Sequence, residues 1–474
     1  MIAFMKISRK ASITPFLSLV FLILMSFIFS MLQLTDYRTS CSDSRRMMES
    51  AIFSVFGEFQ RELYDNYGIF ALDGGYHGLG FQEDHVLRRL NYYGSQGIES
   101  SIQTLQLLTD QNGQAFKEQV LDAMEAKYGL NYVNDFLDKK DEWGSILLEG
   151  EKIMESGDNE NRELDQLLLE EELELPEEDN PLPELKKMRN SPILSLVLPK
   201  GTEQSKLEIS LESQVSKRTL RQGYGETPTR GNVDSLPSQL LLQQFMLKNF
   251  THALSEKEEN EDDSEAQEKI PNQTLQYELE YIIAGRSSDI KNLESVISRI
   301  FLIRLGINYA HVKSCKDKVN QARALAIVLA ALARSPQVAN SITQVLLASW
   351  AFAESIIDLR SLMKGNRVAI FKTDDNWYLQ LSNIGKVASS NNKESSEDDK
   401  GGIRYSEYLR ILLMMNNQDH IVYRTMDRVE ENIKIIEGHA AFRMDAMIYR
   451  IHLDNKAEHA FGTTYEFPTQ YGYH

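Results

Sequence analysis

An uncharged apolar run near the start of the chain constrains its fold more than any other feature. Residues 11–35 contain no Asp, Glu, Lys or Arg, and most of them are large and apolar. About 20 apolar residues in a helix are enough to cross the hydrocarbon core of a bilayer. Lys6, Arg9 and Lys10 precede the run and Asp36 follows it. By the positive-inside rule, the pattern predicts a single-pass protein of the cell membrane, with a cytoplasmic N-terminus and an extracytoplasmic C-terminal bulk.

A cleaved signal peptide is the alternative interpretation of this run. The apolar part of a signal peptide is about 7–15 residues long and ends in small residues of the Ala-x-Ala type. Here the run is longer, and both Ser30-Met31-Leu32 and Thr39-Ser40-Cys41 match that cleavage pattern poorly. A lipoprotein site at Cys41 is disfavoured because Arg38 stands where an apolar residue is needed. The sequence therefore favours an uncleaved signal anchor.

The overall charge excludes one large class of partner. The chain has 51 Lys and Arg against 69 Asp and Glu, a net charge of -18, whereas a nucleic-acid binder needs a cationic surface. With 42% hydrophobic residues the chain can build real cores. Its two cysteines, Cys41 and Cys315, are too few for a disulfide framework or a structural zinc site, although they could form one bridge.

The apolar pattern continues beyond the predicted span at helical spacing. Met48, Ile52, Phe56, Phe59 and Leu63 recur with charged residues between them, and Gly68 is a typical helix stop. These features predict one helix from the membrane to about residue 66, amphipathic in its outer half. That half either packs on the chain's own globular part or offers a lateral packing surface to other subunits.

The remaining patterns predict an α+β fold in which helices dominate and the strands are short and antiparallel; two of the helices are expected at 405–415 and 419–437. Strands are expected within 67–75, 98–108 and 193–198, as a hairpin of 368–371 with 377–381, and as a pair of 442–453 with 460–467. The uncharged stretch 335–353 is interrupted by polar residues such as Gln337 and Ser349, which favours a core helix over a second span.

The predicted organisation has nine segments, of which the two acidic ones are interpreted as solvated linkers. They are a cytoplasmic N-terminus (1–10), a transmembrane helix (11–35), a stalk helix (36–66), an extracytoplasmic α+β part (67–156), an acidic linker (157–190), a strand and helix (191–254), a second acidic linker (255–273), a helical part (274–365) and a C-terminal α+β part (366–474).

Catalytic motifs are missing from the sequence, which has no Walker loop, Gly-x-Ser-x-Gly elbow, His-Glu-x-x-His or Cys-x-x-Cys. Weak candidates are Gly223-Tyr-Gly225, the Ser-x-x-Lys matches at Ser361 and Ser390, the histidines His439, His452 and His459, and the carboxylates Glu354 and Asp358 beside Trp350. His452 and His459 are expected across a hairpin from one another. Glu354 and Asp358 lie four apart on one helix face, as a general acid and base would, but a structural pairing with Arg360 or Arg286 fits better. The sequence therefore predicts no enzyme and no catalytic, cofactor or metal residue.

Several blocks, in order along the chain, resemble the DUF5702 family, an uncharacterised bacterial family found mostly in Gram-positive anaerobes. The blocks are residues 11–19, 58–73, 277–285, 350–358, 405–413 and 424–427. Members of that family tend to accompany genes of tight-adherence (Flp-type) pili, and the N-terminus is similar to the TadE/TadG pilin-like group. The resemblance implies a membrane-anchored extracytoplasmic structural or accessory component of such a pilus or a related envelope assembly, and it supplies no catalytic residue.

The N-terminus departs from pilin-like proteins at the residues that direct prepilin processing. Prepilin processing uses a Gly before the cut and a Glu five residues into the mature chain, whereas here Lys10 precedes Ala11 and Phe16 stands at the Glu position. An anchored accessory subunit therefore fits better than a major pilin. The expected partners are the membrane and pilus or envelope assembly proteins, with helix–helix association through the N-terminal helix. The alternatives are a membrane-tethered extracellular binding or sensing module unrelated to pili and, last, an envelope hydrolase.

Overall fold

The structure is a computed structural model that describes residues 13–76, 81–128, 140–170, 180–198, 203–228, 231–255, 274–389, 395–459 and 462–473. It is 63% helical, and 10% of it is in strands of one antiparallel sheet, so the predicted α+β class is confirmed. The chain divides into two compact units. The sheet unit contains Met1–Asp110, Arg221–Thr229 and Ala441–His474, and the helical unit contains Gln111–Leu220 and Arg230–Ala440.

The helices are numbered here in chain order. They are α1 (Ile13–Phe56), α2 (Arg61–Tyr67), α3 (Glu83–Tyr92), α4 (Asp110–Tyr128), α5 (Lys140–Glu170), α6 (Leu182–Arg189), α7 (Ile193–Val197), α8 (Leu236–Asn249), α9 (Glu278–Ala284), α10 (Asp289–Ser314), α11 (Lys316–Leu332), α12 (Ala339–Met363), α13 (Lys386–Ser389), α14 (Tyr405–Met415) and α15 (Gln418–Lys434). Short 3₁₀ turns lie at Pro336–Val338, Leu381–Asn383 and Met444–Ala446.

The sheet unit is built around one central strand. The strands are β1 (Leu72–Asp73), β2 (Ile98–Leu107), β3 (Met447–Glu458) and β4 (Thr464–Gly472). β3 pairs with β2 along one side and with β1 and β4 along the other, always antiparallel. Along β3 buried side chains alternate with more exposed ones, as in a sheet with one covered face. The predicted strand at 98–108 is confirmed. The predicted C-terminal strand pair is present, but its strands are 447–458 and 464–472, where 442–453 and 460–467 were predicted.

The predicted continuous helix to residue 66 is wrong, because α1 ends at Phe56. The N–H of Gln60 donates to Ala71 O, and Phe59 forms a bridge with Leu72, so this stretch leaves the helix to meet β1. α2 follows and ends at Gly68, whose positive φ of 70° caps it, as the sequence predicted.

The helical unit has α10 and α12 at its core. α12 packs against α10, α11 and α5, and all of its residues from Val345 to Met363 are buried. The uncharged stretch 335–353, which was predicted to be a core helix, is part of one. In Pro336–Met363, 94% of the most apolar 18 residues are buried. Helices predicted at 405–415 and 419–437 are present as α14 and α15.

Three sequence predictions in the helical unit are wrong. The expected strand at 193–198 is α7, a single helical turn with Leu194, Leu196 and Val197 buried; a short buried apolar run has no period that separates strand from helix. The expected hairpin of 368–371 with 377–381 does not form, and Val368 instead bridges Ile403. The described part of the first acidic linker is largely helical, in α5 and α6, because Leu164 and Leu185 are buried there. The second acidic linker lies, from residue 256 on, outside the described residues.

Candidate functional site

The first half of α1 exposes an unbroken apolar surface. Ile13, Phe16 and Leu22 keep 72%, 65% and 66% of their surface exposed, and none of the most apolar window of α1 is buried. Contiguous apolar surface of this extent marks contact with a membrane or a partner. The helix is long and apolar enough to cross a bilayer, which makes it a candidate membrane span.

The C-terminal end of α1 is part of the core of the sheet unit. Met48, Ile52, Val55 and Phe56 are buried, and the Phe56 ring lies 4.8 Å from the ring of Tyr471 on β4. The hydroxyl of Tyr473, just after β4, donates to Phe56 O at 2.7 Å. Each large apolar side chain buried in this way contributes about 1.5–3 kcal/mol. The candidate span and the sheet unit therefore share one helix, which is exposed and apolar in its first half and enters the core of the sheet unit only at its C-terminal end, from Met48 on.

The two carboxylates singled out from the sequence lie together in the core of the helical unit. Lys372 Nζ lies 2.6 Å from Glu354 Oε1 and 2.8 Å from Asp358 Oδ1. Arg304, from α10, donates to Asp358 Oδ2 through Nε at 3.0 Å and Nη2 at 2.7 Å. The expected pairing with Arg360 or Arg286 is wrong, because the neutralising cations come from α10 and from the loop after α12. Sequence spacing along α12 could not identify either of them.

The charged groups of this cluster form ion pairs that are buried away from solvent. Burial raises the pKa of Glu354, although Lys372 opposes the shift. Burial would also raise the pKa of Asp358, but Arg304 and Lys372 outweigh it, and the pKa is lowered. All four charged side chains are at most 2% exposed. Each carboxylate is therefore neutralised by a cation out of contact with solvent, an arrangement that fits a role in holding the fold together.

Glu354 also holds the segment that was expected to be a strand. Its carboxylate accepts from Tyr378 N at 3.0 Å and from Leu379 N at 2.9 Å. The indole N–H of Trp350, one turn earlier on α12, donates to Leu379 O at 2.9 Å. The segment at 378–379 is thus fixed against α12 by side chains, where a hairpin would have used a neighbouring strand.

A cavity of about 430 Å³ lies between α12 and the segment 378–387. Arg360 and Lys386 bring cations to its lining, Gln380 and Asn383 bring amides, and Ile357 and Val387 bring apolar surface. Its volume is within the range of small-molecule sites, about 300–1,000 Å³. Sequence motifs could not predict this cavity, because its lining residues form no motif and are brought together by a loop conformation that differs from the predicted hairpin.

Arg360 is the most buried charged residue of that lining. It is 2% exposed, and it donates through Nε to Leu196 O at 2.9 Å and through Nη2 to Val387 O at 2.7 Å. These bonds fix the guanidinium between α7, α12 and α13. An Arg on an otherwise buried helix face is the one sequence signal that could have directed attention to this site.

A second group of buried carboxyls lies on α9 and α15. Glu280 accepts from Ala253 N at 2.9 Å and from the hydroxyl of Tyr405 at 2.8 Å, both through Oε1. Burial raises its pKa to about 7. Asp427 accepts from the hydroxyls of Tyr281 and Ser216, and burial raises its pKa as well. These groups join α9, α14 and α15 through hydrogen bonds.

The predicted histidine pair is not brought together. In β3 His452 is opposite Gln470, and His459 donates its backbone N–H to Thr463 O at the end of the hairpin. His459 Nε2 instead lies 3.7 Å from Cys41 Sγ. Both cysteines are free, and no group of three or more metal-ligating side chains occurs among the described residues, including around His439.

The remaining sequence candidates have structural roles. Gly223 lies where an added Cβ would come within 2.0 Å of Leu105 O, and Tyr224 and Leu105 exchange backbone hydrogen bonds, so Gly223-Tyr-Gly225 is a β-bridge and no dinucleotide loop. Ser361 Oγ donates to Ser396 O, and Lys364 Nζ donates to Ser395 Oγ. Ser390 and Lys393 lie outside the described residues.

Comparison with known proteins gives one match. The model of a family of unknown function, DUF5702, matches residues 171–459. Searches of curated proteins and of solved structures found no match. The matched region contains α12 and the cavity, and it begins well after the candidate span. Because it covers more than half of the 474 residues, this chain belongs to the DUF5702 family.

Proposed function

We propose that this protein is a membrane-anchored extracytoplasmic structural or accessory component of a tight-adherence (Flp-type) pilus or a related envelope assembly. The observation that carries the proposal is α1, which is exposed and apolar in its first half and packs into the core of the sheet unit at its C-terminal end, from Met48 to Phe56. A helix of this kind places a folded unit directly at a membrane surface, without a flexible linker between them.

The orientation follows from the charges around the span. Three cations, at Lys6, Arg9 and Lys10, precede it and the acidic Asp36 follows. This asymmetry supports a cytoplasmic N-terminus, with both compact units on the outer side.

One observation supports a structural role over catalysis. The buried carboxylates Glu354 and Asp358 are consumed by ion pairs with Lys372 and Arg304. The pilus part of the proposal has a narrower basis, the likeness of the N-terminus to the TadE/TadG pilin-like group, and the N-terminus lies outside the family match. Lys10 and Phe16 stand where prepilin processing uses Gly and Glu, which favours an accessory subunit over a major pilin.

Fractionation with a matched pair of variants tests the anchor. The double substitution Ile23→Arg and Leu24→Arg adds two charges at the centre of the span, at a cost of about 2.5–3.5 kcal/mol each. Glu49→Arg, at an exposed position of the same helix beyond the span, is the control. We expect the wild type and Glu49→Arg, but not the double variant, in the membrane fraction. In the wild type and in Glu49→Arg, protease added to intact cells should digest the C-terminus. Full-length wild type in the cytosol would refute the anchor.

Crosslinking of the wild type in intact cells tests the pilus part separately. Recovery of pilus platform proteins with it, and loss of pili in a deletion strain, are expected. A deletion strain with unchanged pili and adhesion would contradict this part of the proposal and leave the anchor standing.

The cavity beside α12 favours a second candidate function, a membrane-tethered binding or sensing module. This cavity of about 430 Å³, with Arg360 and Lys386 in its lining, has the size of a small-molecule site. Recovery of a small ligand with the purified protein, without pilus proteins, would favour this second candidate.

A further inference from the structure

We infer that the second half of α11 inserts into the surface of a membrane that contains anionic lipids, as a membrane contact separate from α1. The inference goes beyond the proposed function and rests on it only in that an anchored protein works next to a membrane. Its basis is a fully apolar segment, residues 324–333, that the helical unit covers on one side only.

The second half of α11 is apolar on all sides. Residues 324–333 are Ala, Leu, Ile or Val without exception. A helix that is apolar on every side is expected to be covered all round, in a protein core or in lipid. α11 contacts α10, α12 and the turn at Pro336–Val338, and these contacts cover only one of its sides.

Three large side chains on the other side are left exposed. Ile327, Val328 and Leu332 keep 52%, 54% and 60% of their surface exposed, similar to the side chains in the first half of α1. Leu329 and Ala330, on the covered side, keep at most 2%. Neighbouring apolar side chains exposed in this way indicate contact with a membrane or a partner.

The length of the segment fits insertion into one membrane surface. At 1.5 Å per residue, residues 324–333 extend over about 15 Å, about half of what a span requires. An apolar segment of this length that is not enclosed in a core is typical of an interfacial helix. Such a helix lies in the plane of the membrane with its apolar face about 5–10 Å deep, between the headgroups and the acyl chains.

The charges around the segment match an anionic surface. The chain has 69 Asp and Glu, yet residues 318–353 contain neither. Arg323 and Arg334 border the apolar residues and are exposed, and the side chain of neither forms an ion pair or hydrogen bond with another described residue. Asp317 lies about two turns before Ala324. The net charge of -18 opposes an anionic membrane, but screening limits each charge to about 8–10 Å, so the local cations decide.

Lipid fits this face better than a protein partner does. The exposed apolar side chains are all aliphatic, whereas the core of a protein–protein interface is enriched in aromatic residues and Met. A two-fold contact with a second copy would bring the same surface to both sides, with cations and no acid from 318–353. Anionic headgroups lie next to apolar chains in a membrane, which provides for the arginines and for the aliphatic side chains together.

The test locates a fluorescent label on the full chain in lipid nanodiscs that hold one chain each. Cys41→Ser and Cys315→Ser remove the native thiols, and Val328→Cys carries the label NBD. Lys291→Cys, at an exposed position of α10, carries it in the control. The discs contain phosphatidylcholine with an increasing fraction of phosphatidylglycerol, and bromine on the acyl chains quenches a label that enters them. We expect quenching at 328 that rises with the anionic fraction, and none at 291.

Two pairs of variants separate charge from apolar insertion, at the anionic fraction that quenches half of the parent signal at 328. Arg323→Gln with Arg334→Gln should lower the ratio of inserted to free label about 25-fold, about five-fold for each arginine, and Lys291→Gln should not change it. Ile327→Ser with Leu332→Ser should lower it at least about ten-fold, whereas Leu148→Ser, at a similarly exposed position of α5, should not. Tryptophan fluorescence confirms that each variant is folded.

Two results would overturn the inference. One is a label at 328 that stays unquenched at every anionic fraction. The other is a blue-shifted emission that brominated lipid does not quench, which would indicate that a protein covers this face. Entry of the chain into the discs reports on the anchor separately. If the chain stays outside them, the same label is measured with brominated anionic vesicles, and a lack of quenching there counts against the inference as well.

Discussion

Replacing Glu280 with Gln is expected to change how the stability of the helical unit depends on pH. The carboxyl is completely buried between α9 and α14, and burial raises its pKa from 4.5 to about 7. Its Oε1 accepts two hydrogen bonds, from Ala253 N and from the hydroxyl of Tyr405. An amide oxygen at the same place can accept both, so Gln preserves the contacts and removes only the titration.

The size of the effect follows from the difference between the two pKa values. Between pH 4.5 and 7 the folded protein holds a proton on Glu280 that the unfolded chain has lost, so stability falls as the pH rises through this window. At about 1.36 kcal/mol for each step of one in pKa, the wild type loses about 3 kcal/mol across it from this group. The variant lacks that loss.

Other titrating groups near Glu280 are common to both proteins. Asp289 adds to the raised pKa of Glu280, and Tyr405 is its hydrogen-bond partner. Burial lowers the pKa of His252, whose ring lies 5.8 Å from that of Tyr405, to about 4. This histidine costs stability as the pH falls from 6.5 to about 4, the opposite direction, so the pH profile of the wild type alone would mix the two effects. The difference between wild type and variant isolates Glu280.

Urea unfolding of the full chain in detergent, followed by tryptophan fluorescence, measures this difference. All three tryptophans, at 143, 350 and 377, belong to the helical unit and report on it. We expect the free energy of unfolding of Glu280→Gln, relative to wild type, to increase by about 3 kcal/mol between pH 5 and pH 8. Glu294→Gln, at an exposed position of α10, is the control and should show no such trend. A wild-type-to-variant difference that is equal at both pH values would refute the reasoning.

Two further predictions concern packing in the helical unit, both measured by the same unfolding assay at one pH. Lys372→Met leaves Glu354 and Asp358 buried with one cation fewer, and a loss of about 3–5 kcal/mol is expected; the exposed Lys291→Met should change the free energy of unfolding by less than about 0.5 kcal/mol. Two glycines of α5 should respond in opposite directions to Ala. At Gly150 a Cβ would meet Leu302 O at 2.0 Å and should cost about 1–3 kcal/mol, whereas at Gly144 nothing lies within 4 Å and the gain should be about 0.5–1 kcal/mol. Equal effects at both glycines would contradict the helix crossing of α5 and α10.

The sequence predicts well where one period dominates a long segment. α12, α14, α15 and the pair β3 and β4 were expected because their apolar residues recur over three or more turns or over a full strand. Gly68 was expected to stop a helix, and it does so with the positive φ that glycine allows.

The same patterns fail where a side chain from elsewhere supplies the hydrogen bonds. Trp377 to Leu381 has the alternation of a strand, but the N–H groups of Tyr378 and Leu379 are satisfied by the Glu354 carboxylate. Alternation of apolar and polar residues indicates which side chains are buried. It does not indicate which group accepts the hydrogen bonds of the backbone N–H groups. The hairpin prediction and the expected partners of Glu354 and Asp358 therefore fail together, and the cavity, which this same segment encloses, could not be found from the sequence.

α1 and α12 pass the same test for length and apolar composition, and they illustrate what decides between a span and a core helix. In α12 the polar residues Thr343 and Ser349 fall inside the uncharged stretch, and they are buried together with their apolar neighbours. In the first part of α1 the apolar side chains face outward around the whole helix, and the hydroxyls of Ser18 and Thr35 donate to the helix's own carbonyls. A helix that is apolar on every side is covered by lipid or by other chains. A hydroxyl that donates to a carbonyl of its own helix can enter either environment without leaving an unpaired donor. The proposed anchor is therefore supported by how α1 satisfies its few polar groups as well as by its length.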